Sequence, residues 1–384
     1  MRILHTSDWH LGRLFHEVHL TEDQAHILEQ VIACTRDVRP DVVVIAGDIY
    51  DRAVPPRDAV SLLNDVLSRL VLEVGVKVIM TAGNHDSPDR LNFGSTIMEK
   101  QGLHIISRLS SAGRPVVVED KHGPVHFYLL PYAEPAEVRE YLGLDTITDH
   151  DSATGALVGQ IKERRPQGVR AVLVAHAFVA GGRGSESERP LSVGGAGTVD
   201  AANLEGFDYV ALGHLHRPQQ VGDGSMHYSG SLLKYSFSEA DQEKCLKLIE
   251  MDSKGRCSLE TIPLVPRHDV KIISGYLDQL IRRIPEGIDR NDYLAVTLLD
   301  TGALFNPMGK LREIYPNVLW IPSRTTETAG EGTGPRIDHR KMTETELFAG
   351  FYREVTGEPL SAEQRKAFST VADRLRQEDR EAEG

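Results

Sequence analysis

A chain of 384 residues exceeds one typical domain, so a core of roughly 250 residues with one or two smaller modules is expected. Hydrophobic residues make up 40% and charged residues 26%, with no apolar run near the ~20 residues of a membrane span and no signal-peptide pattern after Met1; a water-soluble, cytoplasmic protein is expected. The net charge of −13 argues against a stand-alone nucleic-acid binder, and Cys34, Cys245 and Cys257 lack Cys-x-x-Cys spacing, which excludes a disulfide framework and a zinc-thiolate site.

In chain order, Ile3-Leu4-His5-Thr6 reads as a strand ending in Ser7-Asp8-Trp9-His10. Thr21 and Gln24 have capping-box spacing, and Leu28, Val31, Ile32 and Thr35 continue a helical period. Asp41 to Ala46 is a buried-strand run ending in Gly47-Asp48, and Ala59, Leu62, Leu63, Val66, Leu67 and Leu70 mark a second helix. Val76 to Ala82 is a strand ending in Gly83-Asn84-His85-Asp86. The same grammar returns where Arg170 to Ala175 stops at His176 and Tyr209 to Leu212 stops at Gly213-His214-Leu215-His216. An α/β fold follows, with polar residues at the carboxyl ends of five strands, the edge at which open α/β sheets bind ligands.

Between His176 and that last strand lies a loop with Gly181, Gly182, Gly184, Gly194, Gly195 and Gly197, a flexible connection or a substrate-facing loop. Tyr228 through Glu250 reads as a hairpin closing a first domain at residue 266. Residues 267–322 read as a small α/β module, 323–340 as a linker, and 341–384 as two short helices opened by Thr343/Glu346 and Ser361/Gln364 capping-box pairs. The apolar stripes of those helices bury against the chain's own core or, as the linker favours, against a partner.

Hydrolysis of a phosphoester at neutral pH needs an activated water and neutralised phosphoryl charge, which two divalent ions roughly 3.5–4 Å apart supply. Such a site takes carboxylate and amide oxygens with imidazole nitrogens. Asp8-x-His10, Gly47-Asp48-x-x-Asp51, Gly83-Asn84-His85-Asp86, His176 and Gly213-His214-x-His216 offer that set in order at successive strand ends. A lone Asp-x-His or Gly-Asp is more often a turn than a ligand; the specificity lies in five such blocks together.

These blocks resemble those of the calcineurin-like metallophosphoesterase superfamily, and the resemblance implies a two-sheet β-sandwich flanked by helices. It implies that Asp8, His10, Asp48 and His216 hold one metal and Asp48, Asn84, His176 and His214 the other, with Asp48 as the bridge. His85 would stand over the substrate as general acid, with Asp86 as its orienting partner or a turn residue, and Asp51 behind the ligands or facing substrate. His16 and His19 are further candidates for substrate contact.

Within the superfamily, Ser7-Asp8-Trp9-His10-Leu11-Gly12-Arg13, Ala211 through Gln219, and Tyr228 through Glu239 resemble the SbcD family, nuclease subunits of bacterial SbcCD complexes, over most of the chain. That resemblance implies a manganese-dependent (or magnesium-dependent) exonuclease and endonuclease for DNA ends and hairpins. It also implies a capping domain in the small module, C-terminal helices that dock on a coiled-coil SbcC-type ATPase, and a homodimer within a heterotetramer. Gly47 to Arg52 is also similar to protein Ser/Thr phosphatases, but Ala53 and Asp86 stand where those carry Gly and Glu. A phosphomonoesterase or cyclic-nucleotide diesterase is therefore the first alternative. A non-catalytic scaffold is the second, although scaffold members lose ligands and none is missing here.

Overall fold

The computed structural model describes residues 1–189, 197–302, 304–322 and 359–371, together with residues 345, 348, 349 and 352. The chain divides into two compact units, Met1–Lys271 and Ile272–Gly384.

The first unit is built on two six-stranded mixed sheets. In chain order its strands are β1 (Arg2–Thr6), β2 (Val42–Ala46), β3 (Lys77–Thr81), β4 (Leu103–Ile106), β5 (Val116–Asp120), β6 (Gly123–Leu130), β7 (Arg170–His176), β8 (Tyr209–Gly213), β9 (Gln219–Val221), β10 (Met226–Tyr228), β11 (Cys245–Met251) and β12 (Cys257–Pro263). Sheet I has the order β12-β11-β1-β2-β3-β4 and sheet II the order β9-β10-β8-β7-β6-β5. Strands β1 to β4 run parallel, as do β6, β7, β8 and β10, so the carboxyl ends within each group share one edge.

Alternation decides which residues meet between the sheets. Ile3, Val42, Val44 and Ile79 of sheet I join Phe127, Leu129, Val172, Val174 and Ala211 of sheet II in one buried cluster. The opposite faces are covered too, which is why every residue of β2 and β7 is buried and both read as unbroken apolar runs. On sheet II the cover comes from helices Pro135–Leu142 and His150–Arg164, whose Val138, Leu157, Val158 and Ile161 pack with Leu173, Val210 and Leu212. Helices α1 (Thr21–Val38) and α2 (Arg57–Ser68) bury Ile27, Leu28, Val31 and Ile32, and Ala59, Leu63 and Val66. Leu4, Val43 and Ile45, which alternate with the inter-sheet residues of sheet I, are likewise fully buried.

Two expectations are corrected. Thr21 and Gln24 do not form a capping box: α1 has no side-chain cap, and Gln24 turns inward instead. Nor is Tyr228 to Glu250 a hairpin. Its first strand ends in sheet II and its second lies in sheet I, where β11 pairs with β12. An apolar strand pattern is the same in either sheet, so only packing distinguishes them.

The second unit holds a three-stranded sheet of Val270–Gly275, Tyr293–Leu298 and Val318–Trp320 with helices Leu277–Arg282 and Pro307–Ile314. Its core is Ile273, Leu277, Leu280, Leu294, Val296, Leu311, Tyr315 and Val318. The expected linker, 323–340, and the Thr343/Glu346 pair lie outside the described residues. The second capping box is present: the Ser361 amide donates to Gln364 Oε1 (2.9 Å) and the Gln364 amide to Ser361 Oγ (3.2 Å), opening a helical run over 362–371. Among the described residues no helix is long and apolar enough to cross a membrane.

Candidate metal centre

The carboxyl ends of β1, β2 and β3 in sheet I face those of β7 and β8 in sheet II, and the polar turns after them interlock. The Asp8 amide donates to Gly47 O (3.1 Å), His10 to Asp48 O (3.0 Å) and Leu11 to Ile49 O (2.9 Å). Asp8, His10 and Asp48 all have left-handed φ, at 52°, 46° and 51°, a conformation tolerated here because this backbone ladder fixes both turns. The glycines that precede Asp48, Asn84 and His214 have a steric reason. A Cβ on Gly213 would lie 1.9 Å from Ala46 O and one on Gly47 2.4 Å from His176 Nδ1, so side chains there would force the two sheets apart, while one on Gly83 would lie 2.1 Å from Asp48 Oδ1 of the neighbouring turn.

The side chains converge on two overlapping groups. Ligand atoms of Asp8, His10 and His216 lie within 4.8 Å of one another, and so do those of Asp8, Asp48 and His176. His10 Nε2 is 3.0 Å from His216 Nε2 and 3.5 Å from Asp48 Oδ2. His176 donates Nδ1–H to Ala46 O (3.0 Å), which leaves Nε2 as a lone-pair donor 2.9 Å from Asn84 Oδ1 and 3.4 Å from Asp48 Oδ2. His214 Nδ1 is 3.2 Å from the same Asn84 Oδ1. All seven residues expected as metal ligands are thus brought together.

The calcineurin-like phosphoesterase family matches residues 1–218, and the type 5 capsule protein repressor C-terminal domain family matches residues 266–356. The SbcD subunit of nuclease SbcCD from Staphylococcus saprophyticus is 36% identical over 378 residues, covering 98% of this chain and 99% of that protein. The chain belongs to the SbcD family of calcineurin-like phosphoesterases. Solved structures similar to it include the protein TT1561 of Thermus thermophilus, with 16% identity, a TM-score of 0.39, and coverage of 68% of this chain and 98% of that one. A dimetal phosphatase from Danio rerio has 14% identity, a TM-score of 0.39, and coverage of 69% and 98%.

The chemistry of this donor set fits the dimetal site of the SbcD family and its superfamily. Two imidazole nitrogens 3.0 Å apart can share one proton between them, so at least one of His10 and His216 presents an unprotonated Nε2 within 4.8 Å of a carboxylate oxygen of Asp8. The titration behaviour says the same. Burial raises the Asp8 carboxyl to about 6, against His176 and His216. Burial lowers His10 to about 3 despite Asp51 and Asp48. At His176 burial opposes the charge, but Asp48 outweighs it and lifts the imidazole to about 9. Asp8 and His176 are thus drawn towards their protonated forms while His10 is held neutral, and hard oxygen with imidazole donors suits divalent first-row cations.

The expected catalytic trio separates on inspection. His85 sits at the mouth, its ring 4.7 Å from that of His10; its amide donates to Asp48 Oδ1 (2.9 Å) and its Nδ1–H to the main-chain oxygen of Asp51 (2.7 Å). Nδ1 is thus engaged, and Nε2 is the remaining ring nitrogen. Asp86 is corrected: it does not orient His85, because its carboxylate accepts the amides of Ile49 (3.1 Å), Tyr50 (2.9 Å) and Gly83 (2.9 Å), clamping the Asp48 turn to the Asn84 turn. The Asp51 carboxylate lies behind the ligands, 3.6 Å from His10 Nδ1 and 3.0 Å from Arg13 Nη1.

Sequence reasoning missed the residues that hold the ligands in place. Gln24 accepts from the Gly12 amide (3.0 Å) and donates to His10 O (2.8 Å), bracing the first turn from α1. Arg13 spans Asp51 and Ser187 O (2.9 Å) with its guanidinium 5.1 Å over the Tyr235 ring. Glu188 accepts the His216 amide (2.8 Å), and Ser187, Glu239 and Lys244 line up behind the His216 ring. Arg13 and Glu239 lie inside blocks that resemble the SbcD family, and Gln24 has the spacing of a helix cap, but nothing in the sequence tied any of them to the ligands. The glycine-rich loop is therefore a support of the metal centre over 185–188; residues 190–196 lie outside the described residues. His16, next to a two-residue hairpin of Leu14–Phe15 and Val18–His19, packs its ring 5.2 Å from Phe237.

Proposed function

We propose that this chain is the two-metal nuclease subunit of an SbcCD-type complex, cleaving DNA ends as a double-strand 3′–5′ exonuclease and hairpins as an endonuclease. One observation carries the reading. Seven side chains of metal-ligating type converge near His85 in a chain 98% of which is similar to the SbcD subunit of a nuclease.

Asp8, His10, Asp48 and His216 would hold one ion, and Asp48, Asn84, His176 and His214 the second. Two divalent ions, Mn²⁺ by preference, supply when bound an activated water and neutralisation of phosphoryl charge. The chain's own residues do the rest. Asp51, through its main-chain oxygen, fixes the His85 ring so that Nε2 faces the substrate, and His85 orients the phosphate and protonates the leaving oxygen there. Asp86, by joining the two turns, keeps Asp48 and His85 at a fixed separation. The buried walls of the two sheets exclude water from the ligands' outer sides.

The second unit serves as a capping domain that reads DNA shape, and the C-terminal helices bind the coiled-coil ATPase, which supplies the basic surface that a chain of net charge −13 lacks. A homodimer is supported by an exposed apolar patch beside the metal centre. Val60 and Leu72, on and beyond α2, line one groove with Phe93 and Ile97, the last two 83% and 75% exposed. Sedimentation as a monomer at micromolar concentration would remove that reading.

The decisive assay offers the purified chain with Mn²⁺, alone and with the ATPase and ATP, a hairpin DNA, a cyclic nucleotide and a phosphopeptide. Cleavage of the hairpin is expected. Turnover of the cyclic nucleotide or phosphopeptide alone would favour a small-substrate phosphoesterase, and no turnover at all a scaffold.

A further inference from the structure

The outward side of His216 is built as carefully as its ligand side. Its Nδ1 is 2.6 Å from Ser187 Oγ, which in turn hydrogen-bonds Glu239 Oε1. The other Glu239 oxygen accepts from Lys244 Nζ at 2.6 Å, and Lys244 also reaches His216 O (2.8 Å), Ser231 Oγ (2.9 Å) and Gln242 Oε1 (2.8 Å). Glu239 is fully buried and Lys244 nearly so. A buried ion pair of this kind gives little net stability and is costly to break, so its presence calls for a reason other than stability.

We propose that Ser187 and Glu239 are positioning residues that set the proton of His216 and thereby couple the glycine-rich loop to metal affinity at the Asp8–His10–His216 site. The proposal rests on the two-metal reading above. Its logic is a count of donors. The ion pair with Lys244 keeps Glu239 an acceptor, so the single hydroxyl proton of Ser187 goes to Glu239. The hydroxyl oxygen can then only accept from His216, which places the imidazole proton on Nδ1 and leaves the Nε2 lone pair directed at His10 and Asp8. Ser187 belongs to the loop, and the loop is tied down twice more, by Arg13 to Ser187 O and by Glu188 to the His216 amide. The ligand's tautomer and the loop's seating are therefore one event: lifting Ser187 frees the imidazole to rotate and to move its proton. Neither ligand of the Asn84 side, His176 nor His214, contacts this relay; His176 has its own acceptor in Ala46 O.

The test is a calorimetric titration of the chelator-treated full chain with Mn²⁺. Two binding events are expected for the wild type. Ser187→Ala should weaken one of them by about tenfold, the size of a lost supporting hydrogen bond at a metal ligand, and leave the other within about twofold. Ser187→Thr, which keeps the hydroxyl, should restore the wild-type isotherm, and Glu239→Gln should weaken the same event as Ser187→Ala. Nitrogen chemical shifts of the His216 ring in the metal-free protein should report the Nδ1–H tautomer, with a mixed population in Ser187→Ala. An unchanged isotherm in Ser187→Ala overturns the proposal alone. Equal loss at both sites with a lower metal-free melting temperature overturns it in favour of a structural role. A wild type that binds no Mn²⁺ overturns the two-metal reading, and this one with it.

Discussion

The two edges of the same pair of sheets treat buried charge in opposite ways. At the edge where the parallel strands begin, Arg170 holds Asp120 with two parallel bonds of 2.9 and 2.6 Å, and the Met1 amino group lies 2.6 Å from the same carboxylate. Each of these three charges has a partner. At the edge where the strands end, Asp8 and Asp48 meet the imidazoles of His10, His176 and His216, and His176 is raised by Asp48 to about 9 against the cost of burial. The Asp120 carboxylate is paired inside the protein, whereas the Asp8 and Asp48 carboxylates are buried in a pocket whose donors suit a ligand of opposite sign.

Three substitutions would break or sharpen that contrast. Asp48→Asn keeps the size of the bridge and removes its charge. Activity should fall by roughly a thousandfold, the several kcal/mol that metal-borne charge stabilisation supplies, and calorimetry should show loss of tight Mn²⁺ binding. Two intact binding events would end the case for Asp48 as the shared ligand. His85→Asn should leave both metal-binding events in place and cut turnover of hairpin DNA by about a hundredfold. Wild-type turnover would remove the general-acid role. Asp120→Asn should do neither. It should destabilise the fold by about 3 kcal/mol at pH 7, since it leaves Arg170 buried without its partner, while Mn²⁺ affinity is unchanged. Its pH dependence has a fixed sign. The Arg170 guanidinium, against the cost of burial, holds the Asp120 carboxyl well below the usual range. The stabilisation is therefore complete above the unfolded carboxylate's value of about 3.9 and is lost as pH falls below it. Denaturant melts of wild type and variant should converge in acid; a gap that widens there would contradict the ion pair.

The ligand blocks were legible because they are local. A strand that must be buried on both faces reads as an apolar run, and the turn that follows it must carry glycine where the opposite sheet approaches, as Gly47 and Gly213 do. Asp8, Asp48, Asn84, His176 and His214 each stand at the end of such a run, so the sequence by itself placed them at the carboxyl ends of strands. What it could not supply was the direction of each remaining polar side chain. Gln24 has the spacing of a cap and is a brace; Asp86 has the spacing of a histidine's partner and is a clamp on three amides. Ser187, Glu239 and Lys244 are separated in the chain from the histidine they support and share no motif with it. Only the tertiary structure decided these, because a hydrogen bond across tens of residues leaves no period in the sequence, whereas burial of a strand does.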